Sequence, residues 1–478
     1  MMLKVIIEKE IRDLLRSTKF AITFGACAIL IIITFYVGIT RYKLNQSQYE
    51  ASIAETKRSL EGVVDWNEID ETSIFLPPTP LASLVSGISN DIGRTSYIRG
   101  RGEIKTEDSR YNEDPIFAIF RFIDLEFIFQ IILSLFAILL GYDAVSGEKE
   151  RGTLRLSLAN SVPRQTYIAG KLIGSFISLM VAILLAVLVG LFLMPIMGVR
   201  LSGDEWMRLS MIVLTGLLYF GVFLTLSIFI SSLTHRSSNS FLILLIIWVF
   251  CIHIVPRLSI ILAGRSVDVP TIDEMTYQKS ILSRQLRKEF MEGMDNFYSG
   301  TDFAAQDAIG KLNHYVDSLN EVRDTKMQKL ASRLAEERHN YQKLQEKLSF
   351  SIARLSPATS FSLATSRLAG TSLELKNHYY EEALSYQQEF AKLMTEKTGF
   401  NSGGFLSIRA SSSCSSGEEE TPEQPMAIDP NELPGFSYRD INIGEAVNAS
   451  LFDIGFLFIF NLFFFAGAFI AFNRYDAR

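Results

Sequence analysis

Residues Gly141 to Gly174 read GYDAVSGEKERGTLRLSLANSVPRQTYIAGKLIG, a polar stretch set between two long apolar ones. Glu148, Lys149, Glu150 and Arg151 form a charged cluster, Gly152, Thr153 and Leu154 open a short helix-compatible run, and Pro163 with Arg164 precedes the next apolar stretch. Apolar residues run from Phe122 to Leu140 before the segment and from Ile168 to Leu193 after it. At about 1.5 Å rise per residue, each run can cross a hydrocarbon core of about 30 Å. The segment reads as a compact polar elbow between two membrane helices, able to pass force to both.

Four further apolar runs, Phe20 to Ile39, Leu209 to Ile230, Phe241 to about Val255 and Leu451 to Phe472, extend the pattern in both directions. The expected division is an amphipathic interfacial helix over 1–19, spans over 20–40, 120–141, 167–194, 208–232, 240–264 and 450–473, and the elbow over 142–166. Large outer segments fill 41–115 and 265–448. Pro256 and Arg257 interrupt the fifth run, so a proline kink is expected there. The fold class is all-α, with six transmembrane helices and a helical-hairpin domain between the fifth and sixth.

Basic residues set the orientation. Lys4, Lys9, Arg12, Arg16 and Lys19 precede the first span, and Lys149, Arg151, Arg155 and Arg164 sit in the elbow. Short flanks rich in Lys and Arg stay on the cytoplasmic side, which puts the elbow and both termini there and makes the chain a multi-pass protein of the cell (inner) membrane. The mean composition agrees: 48% of residues are hydrophobic, yet 52 are acidic and 46 basic, so the two classes occupy separate stretches. A net charge of −6 without a basic face excludes a nucleic-acid footprint. Cys27, Cys251 and Cys414 are far apart in sequence and suggest neither a disulfide framework nor a metal site.

In the larger outer segment, Leu312, Tyr315, Leu319, Val322, Leu330, Leu334, Tyr341, Leu344, Leu348, Ile352 and Leu355 recur mostly at helical spacings and predict one long amphipathic helix ending near Pro357. A second amphipathic stretch, Leu373 to Lys397, is expected to fold back on it as an antiparallel hairpin. Residues 401–434, rich in Ser, Gly, Glu and Pro, read as a flexible linker.

The span centres carry few ionisable groups, so energy for transport is expected from elsewhere. Arg121 and Asp124, at i, i+3 spacing, and Asn461 are the candidates for a pathway or outer gate, with mutual neutralisation of the first two as the plainer alternative. His253 reads as a hydrogen-bonded packing residue, and the pairs Met194 with Met197 and Met291 with Met294 as gap fillers rather than copper ligands. Ala169-Gly170-Lys171 lacks the glycine five positions before Gly170 and has Leu172 where a phosphate-binding loop needs Ser or Thr, so no ATPase activity is expected. The carboxylates Glu381 and Glu382 read as a solvated helix face, and no catalytic constellation emerges.

The elbow resembles the pattern of ABC-2 type transporter permease subunits. Its carriers are the cluster Glu148 to Arg151, Gly152-Thr153-Leu154, Pro163-Arg164 and Gly170-Lys171. KEIRDLLRSTKF, with Lys9, Arg12, Leu15 and Arg16, is similar to that family's interfacial helix. PPTPLASLVSGIS (Pro77 to Ser89) and LSPATSFSLATSRLAGT (Leu355 to Thr371) resemble a subgroup with large extracytoplasmic loops, linked to gliding motility or copper-enzyme maturation. The resemblance implies a coupling helix at the elbow that docks on a separate cytoplasmic ATPase subunit, which holds ATP and Mg while this chain carries no cofactor. It also implies a second permease chain, identical or related. The long outer domain raises a different output, mechanotransmission or signalling to a periplasmic partner with nothing crossing the bilayer.

Overall fold

The computed structural model describes residues 2–69, 71–89, 92–100, 104–106, 124–159, 163–300, 308–398 and 428–474. Arg121, Cys414 and the linker residues 401–427 lie outside them.

Among the described residues, six helices are long and apolar enough to cross a membrane. They are α2 (Thr18–Leu60), α3 (Leu125–Glu150), α5 (Arg164–Ile196), α6 (Gly203–Leu233), α7 (Ser237–Ser266) and α12 (Ile443–Asn473). A short helix α1 (Met2–Leu15) precedes them, and α4 (Thr153–Ala159) lies in the elbow. Helix α3 breaks after Gly141 and resumes over Ser146–Glu150. Innermost is α6, flanked by α3 and α12, with Tyr219, Phe220 and Phe223 at most 1% exposed. Its start is set by chemistry legible in the sequence: Ser202 and Glu205 close a reciprocal capping box there.

Between α7 and α12 come α8 (Ile272–Gly300), α9 (Ala308–Ala353), α10 (Pro357–Ala369) and α11 (Leu373–Thr398). The long amphipathic helix is α9. Its first half packs on α8, where Phe297 stacks on Tyr315 at 4.8 Å between ring centroids. Its second half runs beside α7, where Gln345 donates to the carbonyl of Val267 at 3.5 Å. The hairpin is therefore α8 with α9, and α11 does not serve as its second arm.

Helix α11 instead covers a three-stranded antiparallel sheet of β1 (Glu71–Phe75), β2 (Thr95–Arg99) and β3 (Lys105–Thr106), which the sequence reading did not foresee. Glu71 pairs with Arg99, and Tyr97 with Lys105. Alternation turns Ile74 and Ile98 inward, where Leu375, Tyr379, Ala383, Tyr386, Phe390 and Met394 of α11 meet them. Helical spacing puts those six residues on one stripe, so the stripe's partner is a sheet face rather than another helix.

Two further features have physical reasons. Helix α2 continues to Leu60, since nothing after Ile39 breaks a helix: Thr40 to Leu60 holds no Gly or Pro. In α7, a π-helical turn over Phe250–Ile254 comes just before Pro256, and the helix resumes with the proline in its first turn, where no N–H is required.

Candidate functional site

Helix α1 lies on α5 because glycine permits it. A β-carbon at Gly170 would come 2.7 Å from Ile6 Cγ2, and one at Gly174 2.8 Å from Glu10 Cβ. Glu10 sits between Ile7 and Leu14 on the packed face and is buried. It faces Lys171, whose Nζ is 3.2 Å from Glu10 Oε2 and 3.1 Å from Glu148 Oε1. The Tyr167 hydroxyl donates to Glu148, and the Ser175 hydroxyl donates to Glu10 at 3.3 Å. Glu148 thus turns inward, its side chain 13% exposed. A buried lysine beside two carboxylates and two hydroxyls has its charge and donors met, which is the condition for burying ions at all.

The next two residues fasten the elbow to a different corner. Lys149 Nζ donates to the carbonyl of Ser232 and, at 3.1 Å, to that of Thr234, capping the C-terminal end of α6 with a positive charge. Glu150 accepts from the Ser237 hydroxyl at 2.9 Å and from its backbone N–H at 3.2 Å, capping the start of α7 with a negative one. Just before them, the N–H groups of Val145 and Ser146 donate to Ser231 Oγ at 3.0 and 2.9 Å. Lys19, near the start of α2, reaches Asp143 at 2.9 Å. Arg164 donates to the carbonyl of Asn473 at 2.6 Å, at the end of α12, and Tyr167 stacks on Phe472. One short segment is bonded to an end of every other span.

What the elbow leaves exposed is its tip: Arg151, Gly152, Thr153, Arg155 and Leu156, the last 69% exposed, together with Pro163 beyond α4. Gly152 turns the chain at φ +72°, a conformation that favours glycine. Leu154 points the other way and is fully buried. On α1, Lys9, Arg12 and Leu15 are exposed, as is Arg16 just after it. The residues singled out from sequence therefore divide: Arg151, Gly152, Thr153 and Pro163 form an outward surface, while Glu148, Lys149, Glu150, Leu154 and Arg164 fasten the elbow to the bundle.

Of the gate candidates, Asp124 and Asn461 lie among the described residues and take different partners. Asp124 caps the start of α3, accepting from the N–H of Phe127 at 2.8 Å and of Ser86 at 3.0 Å. Asn461 donates to the carbonyl of Leu218 at 2.9 Å and joins α12 to α6 as interhelical glue. His253 packs edge-on against Trp248. Among the described residues, no group of three or more His, Cys, Asp or Glu is arranged to hold a metal.

Sequence reasoning passed over Glu10 and Asp453. The first was detectable as a carboxylate in the middle of an apolar face, and the second as a lone acid inside an apolar run. Asp453 is fully buried and takes two arginines: Arg354 Nε at 2.5 Å and Arg367 Nη1 at 2.6 Å. This junction lies at the far end of the bundle from the elbow, where α10 enters among α3, α6 and α12.

Comparison with known families matches residues 4–476 to the family model described as ABC-2 family transporter protein. No curated protein matches the chain.

Proposed function

This chain belongs to the ABC-2 family of transporter proteins, and from that premise we propose that its elbow is the contact through which a separate ATPase subunit drives it. The chain is a multi-pass membrane permease component of an ABC transporter. The reading of the elbow rests on one observation: residues 142 to 164 are bonded to the ends of all the other spans. A push on the tip at Arg151, Thr153, Arg155 and Leu156 reaches α5 and α1 through Glu148 and Lys171. It reaches α6 and α7 through Lys149 and Glu150, and α12 through Arg164. A nucleotide-driven closure of paired ATPases, one under each of two permease chains, would tilt the spans together.

In this reading the elbow and both termini face the cytoplasm of a cell whose inner membrane holds the chain, and the sheet and α8–α9 hairpin lie outside. The basic flanks support that sidedness. ATP and Mg belong to the partner, and this chain's residues supply docking and transmission only. The test is recovery of ABC ATPase subunits with the tagged chain from its native membrane. Wild type should bring them down, and Arg155→Glu with Leu156→Asp should lose them while still inserting. Equal recovery from both would reject the elbow as the contact.

A second reading, mechanical output to an extracytoplasmic partner without cargo, is favoured by the continuity of α10 with α9. The helix seated in the bundle is joined by only Arg354 to Ser356 to a 46-residue helix leading out of it. ATP-dependent uptake or efflux in vesicles separates the two, since only a transporter moves solute.

A further inference from the structure

We propose that α10 is a movable gate at the far end of the bundle, with Asp453 as its latch. Helix α10 occupies the space a path between the spans would use. Phe361 stacks on Tyr219 at 4.6 Å and lies 6.1 Å from Phe129, while Ala358, Ala364 and Leu368 are fully buried. The carbonyl of Ala358 accepts from Gln130 of α3 at 3.5 Å, and that of Ala364 from Ser450 of α12 at 3.4 Å. These contacts close the mouth between α3, α6 and α12.

The closure is anchored by charge and borders empty space. Asp453, on α12, binds Arg354 just before α10 and Arg367 within it, so both cations travel with the helix and the anion stays with the span. Arg367 also reaches Glu374 at 3.4 Å and the carbonyl of Ala449 at 3.1 Å. Ionised groups inside a membrane bundle are costly and are held only where paired. Beside the latch, Ser362, Leu363, Ser366 and Arg367 border a cavity of about 530 Å³ shared with Glu126 and Phe127 of α3. A helix in a close-packed interior cannot shift sideways unless room exists beside it, and the cavity gives α10 that room.

Its ends can turn. Ser356, whose hydroxyl caps the first turn, leads into Pro357, and Gly370 ends the helix at φ +70°. Short connections that absorb a backbone change are what hinged elements need. Arg367, which touches both the latch and the cavity, is the side chain that exchanges surroundings when α10 moves.

The proposal requires a permease and makes no use of the ATPase contact or of sidedness, so its test runs on the full chain alone in lipid nanodiscs. Cys251 and Cys414 are replaced by serine, Ala364→Cys is introduced, and labelling by a charged, membrane-impermeant maleimide is timed. Native Cys27, buried in α2, reports on general unfolding. With the latch intact, Cys at 364 should label slowly. Asp453→Asn should speed it by about tenfold or more with Cys27 unchanged, because Arg354 loses its anion and Arg367 keeps only the half-exposed Glu374. Replacing all three partners, Asp453→Leu with Arg354→Met and Arg367→Met, should return labelling to the slow rate, since removing a whole ion network does not leave a buried charge unpaired. Unchanged labelling in Asp453→Asn, or acceleration at Cys27 in parallel with position 364, would overturn the proposal. Should Asp453→Asn fail to insert, Arg354→Gln and Arg367→Gln are read in the same way, and failure of all three to insert also overturns it.

Discussion

Lys171 of α5 lies 3.1 Å from Glu148 of the elbow, and the same ammonium lies 3.2 Å from Glu10 of α1. One buried cation therefore serves two carboxylates on two other elements. The charge count orders the consequences. Lys171→Met leaves two like charges facing each other, whereas Glu148→Gln leaves a balanced pair of Lys171 and Glu10. Thermal unfolding in nanodiscs should show a loss of about 3–5 kcal/mol for Lys171→Met and about 1–3 kcal/mol for Glu148→Gln. Equal losses would contradict the shared-cation arrangement.

Transmission and docking should come apart. Glu148→Gln keeps the exposed tip intact, so ATPase recovery should match wild type while stimulation of ATP hydrolysis by the permease falls several-fold. The tip variant Arg155→Glu with Leu156→Asp should do the reverse to recovery, abolishing it. Pull-down and hydrolysis rates on the same preparations decide the matter.

Helix α1 depends on the absence of two side chains. Gly174→Leu drives a branched group into Glu10 Cβ, already 2.8 Å from where a β-carbon would sit. The expected result is release of α1 from α5, seen as faster backbone hydrogen exchange over residues 2–15, with the six spans still inserted. Unaltered exchange would show that α1 is held by lipid rather than by α5.

Acidity enters through Glu346 on α9. Burial, followed by the nearby Glu374 carboxylate, pushes its carboxyl above the usual range. The folded chain thus holds this proton more tightly than the unfolded one, and the stability it contributes is lost as pH rises from about 4 through the raised folded value. Glu346→Gln should remove that loss, giving a melting temperature that falls less than wild type between about pH 4 and pH 7. A steeper fall in the variant would reverse the assignment.

The spans were legible because an apolar run of membrane length has few other readings, and the elbow because its charges and glycines interrupt two such runs. Which way the elbow's side chains point was not. Glu148 and Arg151 are neighbours of opposite fate, and only the position of Lys171 on α5 decides that the first turns inward. The sheet escaped because β1 and β2 are five residues each and β3 two, too short for alternation to stand out from a loop. The partner of α11 then could not be named, since a stripe at helical spacing fits a helix or a sheet equally well. Asp453 shows a different limit: one acid within Leu451 to Phe472 barely changes the hydropathy of the run, and its two arginines lie far away in sequence.

The 46 residues of α9 form one continuous helix about 69 Å long. Pivoted where Arg354 meets Asp453, it has the mechanical advantage of a crane boom: a rotation of about 5° at the base carries the distal tip through about 6 Å. A displacement too small to register among close-packed side chains in the bundle becomes, at the other end, a movement larger than one helical turn's rise. Distance labels at that tip would read the state of the base.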